Sequence, residues 1–294
     1  MASVFLAIDG GGTKCRARVC DHNGITMGEG QAGPAHMRYR VQNVIPTVLQ
    51  AADMACKQGG ISLSDCIATI GLAGAERREK MDALQAYAWP FAHSYVLSDA
   101  KIACLGAHGG GDGGIVIVGT GNVGVGMVAR RWVQIGGYGF PSDRCSGASL
   151  GVEALRYALQ CRDFGTKSPL VDQILARIGQ TTPDIVRWVD TAHASNYASL
   201  APLVAVAAQE GDQNAKTMMQ EMATQCALLC AALNSKGLAK ISVVGGLAAS
   251  IIPYIEAVPY MAPPQGDALS GAILFGQRMQ DSSKRDQAMA LLAH

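Results

Sequence analysis

Three consecutive glycines follow an apolar segment near the start of the sequence, and they constrain the fold more than any other feature. The segment Val4–Ile8 is typical of a buried strand, and Cys15–Cys20 alternates arginines with less polar residues, as a half-exposed strand does. Gly10, Gly11 and Gly12 therefore lie in a tight turn between two strands and not at the start of a helix. Exposed backbone N–H groups in such a turn can surround an anion.

The pattern of strand, glycine–threonine turn and strand recurs about halfway along the sequence. Gly114–Val118 predicts a buried strand, Gly119–Asn122 a turn, and Val123–Ala129 a second strand. Trp132–Ile135 predicts a third strand. The first pattern also has a predicted third strand, Ile25–Glu29. Two copies of one unit predict a duplicated architecture.

A third glycine turn, Gly245–Gly246, follows the predicted strand Ile241–Val244. Between the strands lie segments whose apolar residues recur at helical spacing: Val44–Cys56, Leu150–Leu159, Asn214–Asn234 and Ala268–Met279. Strands that alternate with helices in this way predict an α/β fold.

A different nucleotide motif also matches the second turn. Gly119, Gly121 and Gly124 fit the dinucleotide fingerprint G-x-G-x-x-G, with Asp143 about 20 residues further on. That fingerprint opens a helix whose N-terminus binds the pyrophosphate, whereas Val123–Ala129 predicts a strand. The P-loop pattern does not occur in the sequence. The favoured interpretation is therefore two glycine–threonine turns, one in each domain, that bind a phosphate chain.

Length and charge narrow the class of protein. The chain has 294 residues, which suits two domains better than one. Its net charge of +1, without a basic run, predicts neither a nucleic acid nor a membrane as partner. The segment before Asp9 has no basic flank and predicts neither a signal peptide nor a spanning helix. Nine cysteines without C-x-x-C spacing favour free thiols and a cytoplasmic location.

Seven motifs occur in the order seen in the BadF/BadG/BcrA-type ATPase family of the actin-like sugar-kinase superfamily. They are Asp9–Lys14, Gly71–Ala75, Ser98–Ala100, Gly119–Gly121, Asp143 with Ser146–Gly147, Gly245–Gly246 and Asp267–Ala272. The sequence resembles this family nearly end to end, and most of all its bacterial glucosamine kinase branch. The resemblance implies an α/β, actin-like (ribonuclease H-like) ATPase fold with two duplicated domains around a cleft. The implied domains are residues 1–108, completed by the C-terminal helix at about 275–294, and residues 109–274.

The resemblance also implies cofactors and residue roles. ATP and Mg²⁺ are the expected cofactors, and Asp9 is expected to position the Mg²⁺ through water. Asp99 is expected to be the catalytic base that accepts the proton of the sugar 6-hydroxyl. The expected ATP-binding residues are Gly11, Gly12, Thr13, Lys14, Thr120, Gly121, Gly245 and Gly246. The expected sugar-binding residues are His36, Asp99, Asn122, Gly137, Tyr138 and Asp143.

The reaction implied is ATP-dependent phosphorylation of glucosamine to glucosamine 6-phosphate. One alternative is an N-acetylglucosamine kinase, and another is an ATPase switch that activates a partner enzyme. The resemblance leaves a homodimer open. Taken without the surrounding motifs, Asp99 predicts only a cap for the helix Lys101–Ala107. The sequence departs from the family pattern at Arg144 and Cys145, which replace a usual Glu and Gly, and at His36, which replaces a frequent Asn.

Overall fold

A computed structural model describes residues 3–292 of the chain. Five strands form the first sheet: Val4–Gly10 (β1), Cys15–Cys20 (β2), Thr26–Ala32 (β3), Cys66–Leu72 (β4) and His93–Ser98 (β5). Four strands form the second sheet: Gly113–Val118 (β6), Asn122–Val128 (β7), Arg131–Ile135 (β8) and Ile241–Val244 (β9). The strands predicted around the three glycine turns are therefore confirmed.

Twelve α-helices lie within residues 3–292. They are Val41–Gly59 (α1), Arg78–Gln85 (α2), Asp99–Ala107 (α3), Gly147–Phe164 (α4), Pro169–Ile178 (α5), Thr182–Thr191 (α6), Ala194–Ala198 (α7), Ala201–Gln209 (α8), Gln213–Asn234 (α9), Ala248–Ile251 (α10), Ala268–Gln280 (α11) and Arg285–Ala290 (α12). None of these described helices has the length and apolarity that crossing a membrane requires. Each of the four predicted helical segments lies within one of them or coincides with it to within a residue.

The strand order confirms the internal repeat. The first sheet has the order β3-β2-β1-β4-β5, and the second has the order β8-β7-β6-β9. The second order repeats the first four positions of the first. At the fifth position the second sheet has an isolated parallel bridge between Ile241 and Met261 in place of a full strand. The α/β fold class predicted from the sequence is confirmed.

The central strand β1 of the first sheet is buried on both faces because helices cover each of them. Alternate residues of β1 enter different cores: Leu6 and Ile8 pack in the cluster that includes α1, and Phe5 and Ala7 in the cluster that includes α11. Gly28 of β3 allows α1 to approach closely, since a Cβ there would overlap the carbonyl oxygen of Ala55. β1 therefore reads as a continuous apolar run, as a central strand with two covered faces must.

The described chain packs as two compact units. The first contains the described residues up to Gly114, Val125–Val133, and the described residues from Pro263 onward. The second contains Ile115–Gly124 and Gln134–Ala262. The domain limits expected at residues 108 and 274 stay a prediction, and residues 293–294 of the expected C-terminal helix lie outside the described residues.

Helices α3 and α11 of the first unit pack with their backbones in contact at two glycines. A Cβ on Gly106 would overlap the carbonyl oxygen of Asp267, and a Cβ on Gly271 would overlap that of Ile102. Gly106→Ala is therefore expected to lower the free energy of unfolding by about 3 kcal/mol, because backbone atoms cannot move aside as a side chain can. Urea unfolding measures the change. Gly33→Ala is the matched control, since no atom lies within 4 Å of its added Cβ, and an equal loss there would contradict the packing.

Candidate active site

In the first unit, three parallel strands end at the same edge of the sheet. β1 pairs in parallel with β4, and β4 with β5, so that Asp9 lies beside Gly71 and Leu72 lies beside Ser98. The carboxyl ends of parallel strands are where open α/β sheets bind ligands. The glycine turn follows β1, the Gly71–Ala75 motif ends β4, and Asp99 follows β5. The fold thus brings three of the motifs together at one edge.

Two backbone hydrogen bonds fix the glycine turn after β1, and the remaining residues of the turn are exposed. The N–H of Gly11 donates to the carbonyl oxygen of Lys14 at 2.9 Å, and the N–H of Ala35 donates to the carbonyl oxygen of Gly11 at 2.9 Å. Gly12, Thr13 and Lys14 are exposed. Among the hydrogen bonds of the described residues, none is donated by the N–H groups of these three. A turn with exposed N–H donors is suited to bind phosphate oxygens.

Asp99 is the first residue of α3, but it does not cap the helix. The cap is Ser98, whose Oγ accepts a hydrogen bond from the N–H of Lys101 at 3.3 Å. Oδ1 of Asp99 accepts a hydrogen bond from the adjacent N–H of Ala100, at 2.8 Å. The interpretation of Asp99 as a simple cap is therefore wrong, because Ser98 makes the capping hydrogen bond.

The surroundings of Asp99 favour its protonated form. Burial, and then the nearby carboxylates of Glu76 and Asp9, raise the pKa of Asp99 to about 7. A carboxyl group with a pKa near the working pH can accept a proton and release it again. Glu76 comes directly after the Gly71–Ala75 motif, and sequence reasoning did not single it out.

Asp9 makes a close ion pair within the sheet. Nη2 of Arg16 lies 2.6 Å from Oδ2 of Asp9, across the β1–β2 pairing in which the two residues are directly opposite. Nη1 of Arg16 lies 3.9 Å from Oδ2 of Asp267. Sequence reasoning missed Arg16 and Asp267 as parts of the site, because Asp267 comes more than 250 residues later in the chain.

The donor set of the first unit fits a magnesium ion held partly by water. Asp9 supplies carboxylate oxygens, which are the hard donors that Mg²⁺ prefers, and Glu76 is a further acid close to Asp99. In residues 3–292, no group of three or more His, Cys, Asp or Glu residues is arranged to hold a metal ion. Mg²⁺ typically uses one or two carboxylates, substrate phosphates and several waters. The carboxylate of Asp9 can be one of these groups, acting directly or through a bound water.

His36 lies beside the same glycine turn. Its Cδ2 atom is 3.7 Å from the position of a Cβ on Gly12, and its backbone bridges to Ala73. Nδ1 accepts a hydrogen bond from the N–H of Arg38 at 2.9 Å. Burial, and then the charge of Arg38, lower the pKa of His36. His36 is therefore a neutral imidazole whose Nε2–H is a donor. Like the Asn that is frequent at this position in the family, it offers an uncharged N–H group and not a positive charge.

In the second unit, the Gly119–Gly121 turn rests on the start of α4. The N–H groups of Gly147 and Ala148 donate to the carbonyl oxygens of Gly119 and Thr120, at 2.7 and 3.1 Å. These bonds satisfy two of the donors that the first turn of a helix leaves unpaired. The carbonyl groups of the turn thus face α4. Among the hydrogen bonds of residues 3–292, the N–H groups of Thr120 and Gly121 donate none.

Asp143 is buried, with an exposed fraction of 6%, and is not a solvated loop residue. Its Oδ2 accepts from the N–H of Asn122 at 3.0 Å, and its Oδ1 accepts from the N–H of Gly139 at 3.0 Å. The carboxylate therefore ties the glycine–threonine turn to the loop that contains Gly137 and Tyr138. Sequence reasoning gave the residue but not this bridging position.

A cavity of about 210 Å³ lies beside Asp143. Asn122 and Asp143 provide buried polar groups on its wall, and Tyr138 provides an aromatic ring that is 84% exposed. Arg144 and Cys145, where the sequence departs from the family pattern, line the same cavity. A small number of polar groups on the wall of a cavity can fix the orientation of a small-molecule ligand.

The two glycines after β9 differ in their surroundings. Gly245 has a φ of +106°, and its Cβ position lies 2.5 Å from the carbonyl oxygen of Val118. Only glycine fits there. Gly246 has no atom within 4 Å of its Cβ position, so its exposed face is open to a ligand.

Comparison with known proteins supplies the family. Residues 6–276 match the BadF/BadG/BcrA/BcrD ATPase family. The chain belongs to this family. The family match spans both glycine–threonine turns and all seven motifs, and it confirms the resemblance seen in the sequence.

The relatives are sugar kinases by name. The chain is 32% identical to a glucosamine kinase of Vibrio cholerae over 289 residues, which cover 96% of this chain and 98% of the relative. It is 29% identical to an N-acetylmuramic acid/N-acetylglucosamine kinase of Clostridium acetobutylicum, over 75% of this chain and 76% of the relative.

Solved structures confirm the fold. A protein of Chromobacterium violaceum with a provisional assignment as N-acetylglucosamine kinase aligns with a TM-score of 0.85 and 28% identity, over 94% of this chain and 99% of that one. A glucokinase of the ROK family from Streptomyces griseus, in complex with glucose and AMPPNP, aligns with a TM-score of 0.60 and 16% identity, over 94% and 98%. At that identity the second likeness shows the fold alone, which is that of the actin-like sugar kinases.

Proposed function

We propose that the protein is an amino-sugar kinase that transfers the γ-phosphoryl group of ATP to the 6-hydroxyl of glucosamine. The observation that supports this most is the placement of Asp99. Its carboxylate is not used as a helix cap, lies at the same strand edge as the glycine turn, and has a pKa close to 7. A kinase needs one such carboxylate to orient the attacking hydroxyl and accept its proton.

The roles of the residues follow from this reaction. The sugar O6 forms a bond to the γ-phosphorus as the bond from that phosphorus to the β–γ bridging oxygen breaks, and the proton of O6 passes to Asp99. The N–H groups of Gly12 and Thr13, with Lys14, would stabilise the phosphate charge, and so would those of Thr120 and Gly121. Bound Mg²⁺ neutralises phosphate charge, and Asp9 positions it through water.

Five further residues would form the sugar site in this proposal. Asp143 and Asn122 are buried polar groups at the 210 Å³ cavity, and Tyr138 offers a ring against which a sugar face packs. The Nε2–H of His36 would donate to a sugar hydroxyl. Gly137 leaves room for the loop to turn, since its φ is +76°.

The rate is expected to depend on pH through Asp99. The base must be ionised, and its pKa in the free protein is about 7, so kcat/KM should fall about tenfold per pH unit below that value. The measurement is kcat/KM between pH 5.5 and 8.5. Glucosamine carries an amine that itself titrates at about pH 7.7–8.0 if it resembles an α-amino group, so N-acetylglucosamine is the control substrate. A flat profile with the acetylated sugar would contradict the assignment of Asp99.

Glucosamine is placed first because the relative that matches almost the whole chain carries that name. N-acetylglucosamine is the runner-up, since other relatives carry that name. ADP release with glucosamine, N-acetylglucosamine, glucose and no sugar tests the choice. We expect the highest kcat/KM with glucosamine. A higher value with glucose would contradict an amino-sugar kinase.

An ATPase switch that activates a partner enzyme is the alternative from another class. The resemblance implies that such a switch holds an iron–sulfur cluster between two subunits, which requires cysteines at a surface. All nine cysteines of this chain are buried free thiols. Burial of every thiol favours the kinase. ATP turnover that does not depend on any sugar would favour the switch. A homodimer stays a prediction.

A further inference from the structure

A chain of alternating charges runs along one face of the first sheet. Arg16 and Arg18 are two residues apart on β2, so their side chains lie on the same face. Arg16 reaches Asp9 at 2.6 Å and Asp267 at 3.9 Å. Arg18 reaches Asp267 at 3.6 Å and Glu29 at 2.8 Å. Of these two arginines, Arg16 forms an ion pair with Asp9, and Arg18 does not.

We propose that Arg16 is a positioning residue that fixes the carboxylate of Asp9 for the metal–nucleotide complex and ties it to the N-terminus of α11. This inference rests on the proposed function only in that Asp9 serves the metal. The guanidinium group is a planar fork with separate donors, and here it spans two carboxylates that come from distant parts of the chain. One nitrogen of the fork holds Oδ2 of Asp9, and another faces Asp267.

The second partner of Arg16 is itself fixed. Asp267 caps α11, since its Oδ1 accepts from the N–H of Ser270 at 2.9 Å and from the hydroxyl of Ser270 at 2.7 Å. The backbone of Asp267 contacts Gly106 of α3, the helix that begins with Asp99. Arg16 therefore connects the carboxylate of Asp9 to the helix pair that carries the proposed base.

Pairing with Arg16 leaves Asp9 able to serve a metal. Oδ2 of Asp9 accepts from Arg16, and Oδ1 takes part in no hydrogen bond among those of the described residues. An anchored carboxylate presents its second oxygen in one direction, and partners that orient metal ligands typically change metal affinity by about 10–100-fold when removed. The Arg16 side chain is 35% exposed, so its loss is not expected to unfold the sheet.

The test is Mn²⁺ binding to the full chain with saturating ADP, measured by electron paramagnetic resonance of the free ion. Arg16→Gln is expected to weaken Mn²⁺ binding about 10–100-fold, with ADP binding in the presence of a chelator unchanged. Arg18→Gln is the matched control, because it removes an ion pair to Asp267 from the same face of β2 without touching Asp9. Its affinity is expected to stay within about twofold of the wild type.

Two results would overturn the proposal. One is Mn²⁺ affinity in Arg16→Gln equal to that of the wild type, and the other is an equal loss in Arg18→Gln. If Arg16→Gln does not fold, Arg16→Lys decides: a single ammonium cannot span both carboxylates, so a loss of about threefold or more supports the role and no loss overturns it. The titration needs neither sugar nor turnover. A chain that phosphorylates no amino sugar would refute the proposed function and leave this result standing.

Discussion

Replacing Asp99 with Asn is expected to lower kcat by about 10²–10⁴-fold, the range typical for loss of a general base. The amide keeps the size of the side chain but cannot accept the proton of the sugar hydroxyl. KM for ATP is expected to change little, because Asp99 is not among the residues proposed to hold the phosphates. Steady-state ADP release and calorimetric ATP binding measure the two effects.

The raised pKa of Asp99 predicts how Asp99→Asn changes the stability of the protein. The pKa of Asp99 is raised in the folded state, so its contribution to stability falls as the pH rises from about 4 to about 7. Asn removes a carboxylate that burial and two neighbouring acids disfavour, and at pH 8 the variant is expected to unfold at no lower temperature than the wild type. A large drop in melting temperature with a matching drop in activity would mean that Asp99 is structural.

Ser98→Ala is the control for the helix cap. Ser98 makes the capping hydrogen bond to Lys101, and losing a cap typically lowers stability by about 1 kcal/mol. We expect Ser98→Ala to lower the melting temperature while leaving kcat within about threefold of the wild type, if Asp99 stays in place. If Ser98→Ala and Asp99→Asn lowered kcat equally, the helix start and not the carboxylate would be the functional element.

Replacing Gly246 with Val is expected to raise KM for ATP about 10- to 100-fold without lowering stability. The open space around its Cβ position means that the fold tolerates a side chain there. If adenosine lies against this backbone, the added methyl groups overlap it, and overlap of this kind typically costs about 1–3 kcal/mol. Initial rates at varied ATP and thermal unfolding of the free protein measure the two quantities.

Gly245→Ala is the contrasting variant for the same turn. Its φ of +106° and the 2.5 Å approach to the backbone of Val118 make any side chain there strained. We expect this variant to lose stability, whereas Gly246→Val does not. Unchanged KM for ATP in a stable Gly246→Val protein would remove Gly246 from the nucleotide site.

The glycine turns and the strands around them could be predicted because they depend on local sequence. Two buried strands must be joined by a tight turn, and the glycines of Gly10–Thr13 and Gly119–Gly121 permit the backbone angles that such a turn needs. Alternation of arginines in β2 identified a strand and not a helix after the first turn. The internal repeat followed from these local signals, whereas the strand order depends on pairing between segments far apart in the chain.

Other parts of the site depend on contacts between distant residues, which periodicity does not reveal. Arg16 meets Asp267 only because α11 returns to the first sheet late in the chain. The buried carboxylate of Asp143 accepts hydrogen bonds from N–H groups at the start of β7 and in the loop at Gly139, which are far apart in the sequence pattern. The choice of Ser98 over Asp99 as the helix cap differs by one residue, which is within the usual error of a predicted helix boundary.

The most direct test of the central claim is the identity of the product. The protein is incubated with ATP, Mg²⁺ and glucosamine, and the product is examined by ³¹P NMR with coupling to the sugar protons. We expect a phosphomonoester whose phosphorus couples to the two protons of C6, in an amount equal to the ADP formed, and none with Asp99→Asn over the same time. Formation of inorganic phosphate and ADP without a sugar phosphate would contradict an amino-sugar kinase.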